Sequence, residues 1–423
     1  MSTSQPRRPL LRLGRLLGAL RDVWLMAGIT LLLFLALEYG YRGVRGARQL
    51  MRGGPVARDS SLHPYAATDW WGPFTGQDGL AARRNRFDPY RGFWTMPVEA
   101  KYVHVDSLGR RVTPQPPVTG HPPRQLFMMG GSTMWGFSAR DSFSIPAFTA
   151  KALHDRGITD VEVVNLAQQA FNSTQEATTL LVELAHGRIP SAVVFLDGYN
   201  DIATAWKYGS PGHTYGEEST QQQIELGTRG FWGELVGLGR HAEVVQRLQS
   251  ALGMNARGPN VTGGPAQVCG PLAGYYRNIA ISTEALGARW GFQTVRFMQP
   301  THQTTRKALT PWERSLQTNK FLVPCTASID SAMADRLGSS YVPLYGMFDA
   351  DTATVFVDFA AHVTEEANRR IGERIADVVA PLLRSSGGGA TPGGPALAPS
   401  GAERAATAGA GARVAGETGA ARR

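Results

Sequence analysis

Three observations predict a doubly wound α/β domain with a parallel sheet covered by helices on both faces. Five short apolar runs, at 124–131, 161–167, 191–198, 292–300 and 341–346, have strand length and the near-continuous hydrophobicity of a sheet buried on both sides. Helical patterns at 144–156, 173–186, 272–290 and 364–383 alternate with them, which is the arrangement that builds parallel strands through crossover helices. Polar residues then stand at matching places along the chain: Ser132 just past the first run, Asn200 and Asp201 just past the third, and His362 just before the last helix. In an open α/β sheet such positions, distant in sequence, converge beyond the carboxyl ends of the strands, where ligands bind.

The ends of the chain differ from this body. "VWLMAGITLLLFLAL", from Val23, contains no charge and is slightly shorter than the roughly 17 to 25 residues that span a bilayer. Extending it to Tyr41 gives a transmembrane anchor over 23–41, with Trp24 at one interface and Tyr39 and Tyr41 at the other. The five arginines that precede it place residues 1–22 in the cytoplasm by the positive-inside tendency, although four arginines also follow it closely. A cleaved signal peptide and a buried helix are the alternatives. Residues 42–100 read as a linker and N-terminal extension, 101–385 as the main domain, and 206–270 as an insertion or cap within it. The tail at 386–423, rich in Gly, Ala and Pro, offers too little apolar surface to offset its ordering entropy and is expected to be disordered.

Charge follows the same division. The net +9 of the 423-residue chain is concentrated at the ends, with ten arginines against Asp22 and Glu38 in the first 58 residues. The body is close to neutral and has no basic footprint for phosphates, so no nucleic-acid partner is expected. Two cysteines, Cys269 and Cys325, exclude a cysteine-based zinc site. They are compatible either with one bridge outside the cytoplasm or with two buried thiols. The histidines lack paired metal-ligand spacing, so neither a metal nor a cofactor is proposed.

The segment "GGSTMWG" (130–136) is neither a G-x-S-x-G elbow nor a phosphate loop, because Met134 stands where the elbow has glycine and no Gly-Lys-Ser/Thr follows. Taken with "VVNL", "GYND" (198–201) and "DFAAH" (358–362), it resembles the SGNH or GDSL-type hydrolases, in the subset whose first block reads Gly-Gly-Ser-Thr. "DSLGRR" (106–111) and "QPTHQTTRKALTPWE" (299–313) are similar to further blocks of that subset, in which an N-terminal anchor is also common. The resemblance covers roughly residues 100 to 380, and the 206–270 stretch matches it poorly.

The resemblance implies a flavodoxin-like three-layer α/β/α sandwich and esterase chemistry. It implies Ser132 as nucleophile, His362 as general base and Asp358 as the orienter of the imidazole. The oxyanion donors would be the Ser132 and Ala170 backbone N–H groups and the Asn200 side chain. Two departures stand out. Ala170 takes the place of a glycine, where a positive φ would strain an alanine. Asp358 and His362 are four apart instead of three, so His362 either keeps Asp358 through a bulged loop, takes a backbone carbonyl as orienter, or acts with Ser132 alone. The implied substrate is an ester-bearing small molecule, glycan or lipid, met by a membrane-anchored, extracytoplasmic domain. An O-acyltransferase using the same residues and a non-catalytic binding domain are the alternatives. Oligomeric state is not legible.

Overall fold

The computed structural model describes residues 9–51, 59–119, 122–217 and 264–386. Residues 218–263 of the expected insertion or cap, and the tail beyond 386, lie outside the described residues. The chain divides into two compact units, residues 1–58 with 216–260 and residues 59–215 with 261–423.

In the first unit, α1 (Pro9–Met51) is one continuous helix. Its 28-residue stretch Leu17–Val44 is long and apolar enough to cross a membrane, and a signal sequence would pass the same test. Large side chains such as Trp24, Leu32 and Leu33 are exposed along it.

The second unit begins at Asp59, so much of the expected linker belongs to the folded body. Tyr65, Trp70 and Phe74 are buried in its main core. Two small antiparallel pairs follow: β1 (Asn85–Asp88) with β2 (Gly92–Thr95), and β3 (Val98–Glu99) with β4 (His104–Val105). The central sheet has five parallel strands, β5 (Arg124–Gly130), β6 (Val161–Asn165), β7 (Ala192–Asp197), β8 (Gln293–Met298) and β9 (Tyr341–Pro343). Their order is β6-β5-β7-β8-β9. This is the doubly wound order in which the chain leaves β5 in opposite directions, opening a crevice at the carboxyl ends of β5, β6 and β7.

Alternate residues of each strand feed opposite layers. Leu126 and Met128 pack with Ile145 and Leu153 of α3 (Ile145–Asp155) and with Ile371, Ile375 and Val379 of α8 (Glu365–Ser386). Phe127 and Met129 pack on the other face with Leu180 and Leu184 of α4 (Ser173–Ala185). That face continues over α5 (Tyr199–Tyr208), α6 (Pro265–Trp290) and α7 (Leu322–Leu337), joined through Ile202, Leu272, Tyr276 and Ile329. Local signals set several helix ends. The Ser144 side chain caps the first turn of α3, Asn172 and Gln175 form a capping box on α4, and α6 ends at a left-handed Gly291.

Three helices differ from expectation. α6 starts at Pro265, before the 272 start read from the sequence, and carries Pro271 within it. A proline costs an interior hydrogen bond, but here the first turns are held by buried Val268 and by Cys269, which is bonded to Cys325 of α7. Neither α5 nor α7 has a counterpart among the expected helices.

Candidate active site

The first strand ends in two glycines for a steric reason. A Cβ at Gly130 would lie 2.6 Å from that of Met134 and 2.7 Å from the Leu196 carbonyl oxygen. One at Gly131 would lie 2.3 Å from the Asn200 side-chain nitrogen. Glycine therefore lets the end of β5 approach β7 and lets Asn200 sit beside the residue preceding Ser132. Ser132 opens the one-turn helix α2 (Ser132–Trp135), which stops at a left-handed Gly136.

Beyond β6 the loop turns at Ala170, whose φ is 62°, and passes through Phe171 to the α4 cap. Beyond β7, Gly198 adopts φ 111° and Asn200 falls in the first turn of α5. The Asn200 Nδ2 donates one hydrogen to the Phe171 carbonyl at 2.7 Å, which fixes the amide against the Ala170 loop and leaves its second hydrogen for another acceptor.

The last component is a tight loop. Phe356 and Val363 form an antiparallel bridge, and the Val357 N–H donates to the His362 carbonyl at 2.8 Å. Inside it, Ala361 takes φ 66°, and this left-handed residue absorbs the additional position between Asp358 and His362. His362 Nδ1 lies 2.7 Å from Asp358 Oδ2, and His362 Nε2 lies 2.6 Å from Ser132 Oγ. An ionised carboxylate only accepts, so Nδ1 carries the proton and Nε2 presents its lone pair to the serine hydroxyl. Asp358 Oδ1 also accepts the Ala360 N–H at 2.8 Å. Burial pushes the Asp358 pKa up, but the adjacent imidazole and these hydrogen bonds outweigh it and hold the carboxyl below its ordinary value. His63 and His302 are pulled below the usual imidazole value by burial, with the charge of Asp358 opposing.

Supporting contacts lock this loop to the nucleophile turn. Thr133 Oγ1 donates to the Ala361 carbonyl at 3.3 Å, and Ser138 Oγ to that of Val363 at 2.8 Å. Trp312 Nε1 donates to the Val357 carbonyl at 3.0 Å. The Phe137 ring stacks on the His362 ring with centroids 4.6 Å apart. The structure thus brings together Ser132, His362 and Asp358, and places Ala170 and Asn200 at the ends of the two neighbouring strands. Thr133 and Trp312 lie within the 130–136 and 299–313 motif segments, whereas Phe137 follows the first segment and belongs to no motif, so only the tertiary contacts reveal its place against His362.

Under the Asn200 turn lies a buried polar cluster. Asp197 accepts from Arg296 at 2.8 Å and from the Tyr276 hydroxyl. Asp201 accepts the Ser173 hydroxyl at 2.5 Å and its N–H at 3.2 Å. Burial, then the charge of Asp197, pushes the Asp201 pKa up to about 7, and Glu176 is likewise raised, chiefly by burial.

No protein-family model and no curated protein matches the chain. Among solved structures it is similar to TesA, with 16% identity and a TM-score of 0.34 over 61% of this chain and 99% of that one. It is similar to the acetyl xylan esterase AlAXEase at 10% identity and a TM-score of 0.35, over 60% of this chain and 99% of that one. A putative GDSL-like lipase from Parabacteroides merdae aligns at 12% identity and a TM-score of 0.34, over 63% of this chain and all of that one (100%).

Proposed function

We propose that this chain is a serine ester hydrolase anchored by α1, with its second unit outside the cytoplasm. The observation that carries the reading is the continuous hydrogen-bonded chain from Ser132 Oγ through His362 to Asp358. In this reading His362 Nε2 takes the serine proton as Oγ attacks the ester carbonyl. The Ser132 and Ala170 N–H groups and the free amide hydrogen of Asn200 meet the charge developing on the carbonyl oxygen. The imidazolium, stabilised by Asp358, gives its proton to the leaving alcohol and leaves an acyl-enzyme. Water activated by the same imidazole then releases the acid. The apolar α1 supports membrane attachment, and the Cys269–Cys325 bond is the kind that persists in an oxidising compartment.

The test is labelling of the full chain in detergent with a fluorophosphonate probe and location of the adduct by mass. Label on Ser132 that disappears in Ser132→Ala is the expected result. A folded chain that takes up no label would remove the reading.

A further inference from the structure

The hairpin segment at residues 79–95 is fastened to the loop that carries Ala170. Gln169 Nε2 donates to the Ala82 carbonyl at 2.9 Å, and the Thr95 N–H and hydroxyl both donate to Gln168 Oε1, at 3.0 and 2.7 Å. Gln175 Nε2 reaches the Arg91 carbonyl at 2.8 Å, and Phe93 and Trp94 pack edge-on against Phe171. The hairpin therefore forms a wall on the Ala170 side of the site, with Phe87 and Tyr90 exposed at 64% and 74%.

Three arginines, Arg83, Arg84 and Arg86, stand exposed on this segment, and none has an ion-pair partner among the described residues. Arg91, by contrast, is paired with Asp88 at 2.6 Å. The Arg83 guanidinium lies 5.4 Å from the centroid of the Phe137 ring, the same ring that stacks on His362. The cation is thus no farther from the catalytic imidazole than the sum of those two separations. A permanent charge held at that range is free for a substrate group, because a guanidinium presents paired donors that match carboxylate or phosphate oxygens.

We propose that Arg83 binds an anionic substituent of the substrate, a carboxylate or phosphate a short distance from the ester that Ser132 attacks. The proposal rests on the ester-hydrolase reading above and narrows its substrate class to acylated anionic molecules. The body is near neutral in net charge, so it carries no general excess of positive charge to bind anions unspecifically.

The experiment uses the full chain in a neutral detergent with three soluble esters of similar shape: para-acetoxybenzoate, para-acetoxyphenyl phosphate and the neutral para-acetoxybenzamide. Each variant is scored by its ratio of kcat/KM for an anionic ester to kcat/KM for the amide, which cancels differences in intrinsic reactivity. Arg83→Gln is expected to lower that ratio about tenfold, mainly through KM, with partial recovery in Arg83→Lys. Arg289→Gln, an exposed arginine at the end of α6, makes the same change in net charge and should leave the ratio as it is. The anion whose ratio falls further in Arg83→Gln identifies the group the site prefers. Equal ratios in Arg83→Gln and the unaltered chain, with turnover retained, overturn anion recognition alone. Turnover of none of the three esters overturns the ester-hydrolase reading and this proposal with it.

Discussion

Ala361 is fully buried in the loop that carries His362 and is held in a left-handed conformation. With φ of 66° it pays roughly 1–2 kcal/mol for a left-handed conformation, and in return the imidazole reaches both Asp358 and Ser132 across a four-residue spacing. The role of Asp358 is then open to a direct test. In Asp358→Asn the carboxamide is able to offer Nδ1 an N–H, which favours the tautomer with its proton on Nε2 and removes the acceptor for Ser132. A fall in kcat of about 10³–10⁴-fold is expected with the fold intact, measured on a soluble aryl ester beside near-ultraviolet circular dichroism. A fall of less than tenfold would mean that His362 needs no carboxylate.

At the scale of elements, strands β7 and β8 and helices α4, α5 and α6 are joined by charge as well as by packing. Asp197 ends β7, Asp201 lies on α5, Glu176 and Ser173 on α4, Tyr276 on α6 and Arg296 on β8. With one arginine among three buried carboxyls, the cluster is best satisfied while some protons stay bound. The folded pKa of Asp201 is raised from an ordinary 3.8 to about 7, so its contribution to stability is fully present below the ordinary value. That contribution is lost as pH rises through about 7. Asp201→Asn keeps an oxygen for Ser173 and cannot ionise. Its melting temperature, compared with that of the unaltered chain, should improve between pH 5 and pH 8, as thermal unfolding in matched buffers would show. A difference that is flat with pH would assign the titration elsewhere in the cluster.

For the whole molecule, the link between α6 and α7 is covalent as well as apolar. Cys269 and Cys325 are separated by 56 residues, and closing a loop of that length removes about 4 kcal/mol of unfolded-state freedom. The double variant Cys269→Ser, Cys325→Ser should therefore unfold at a clearly lower urea concentration than the oxidised chain, followed by tryptophan fluorescence. An unchanged midpoint would show that the unfolded ensemble is not restrained by the bond.

The sequence by itself determined the layering of the body. Strands buried on both faces must be apolar throughout, and crossover helices must alternate with them, so the five runs at 124–131, 161–167, 191–198, 292–300 and 341–346 each contain an observed strand. It also marked Ser132, Asn200 and Asp201 by their places just past strands and His362 by its place just before the last helix, while their roles came only from the motif resemblance. Tertiary structure alone decided whether Asp358 reaches His362, since that depends on one backbone angle at Ala361, and whether the cysteines meet, since that depends on how α6 packs on α7. It also decided that residues 59–100 belong to the body and bring Arg83 to the Phe137 ring. These contacts join segments far apart in the chain, and local periodicity carries no record of them.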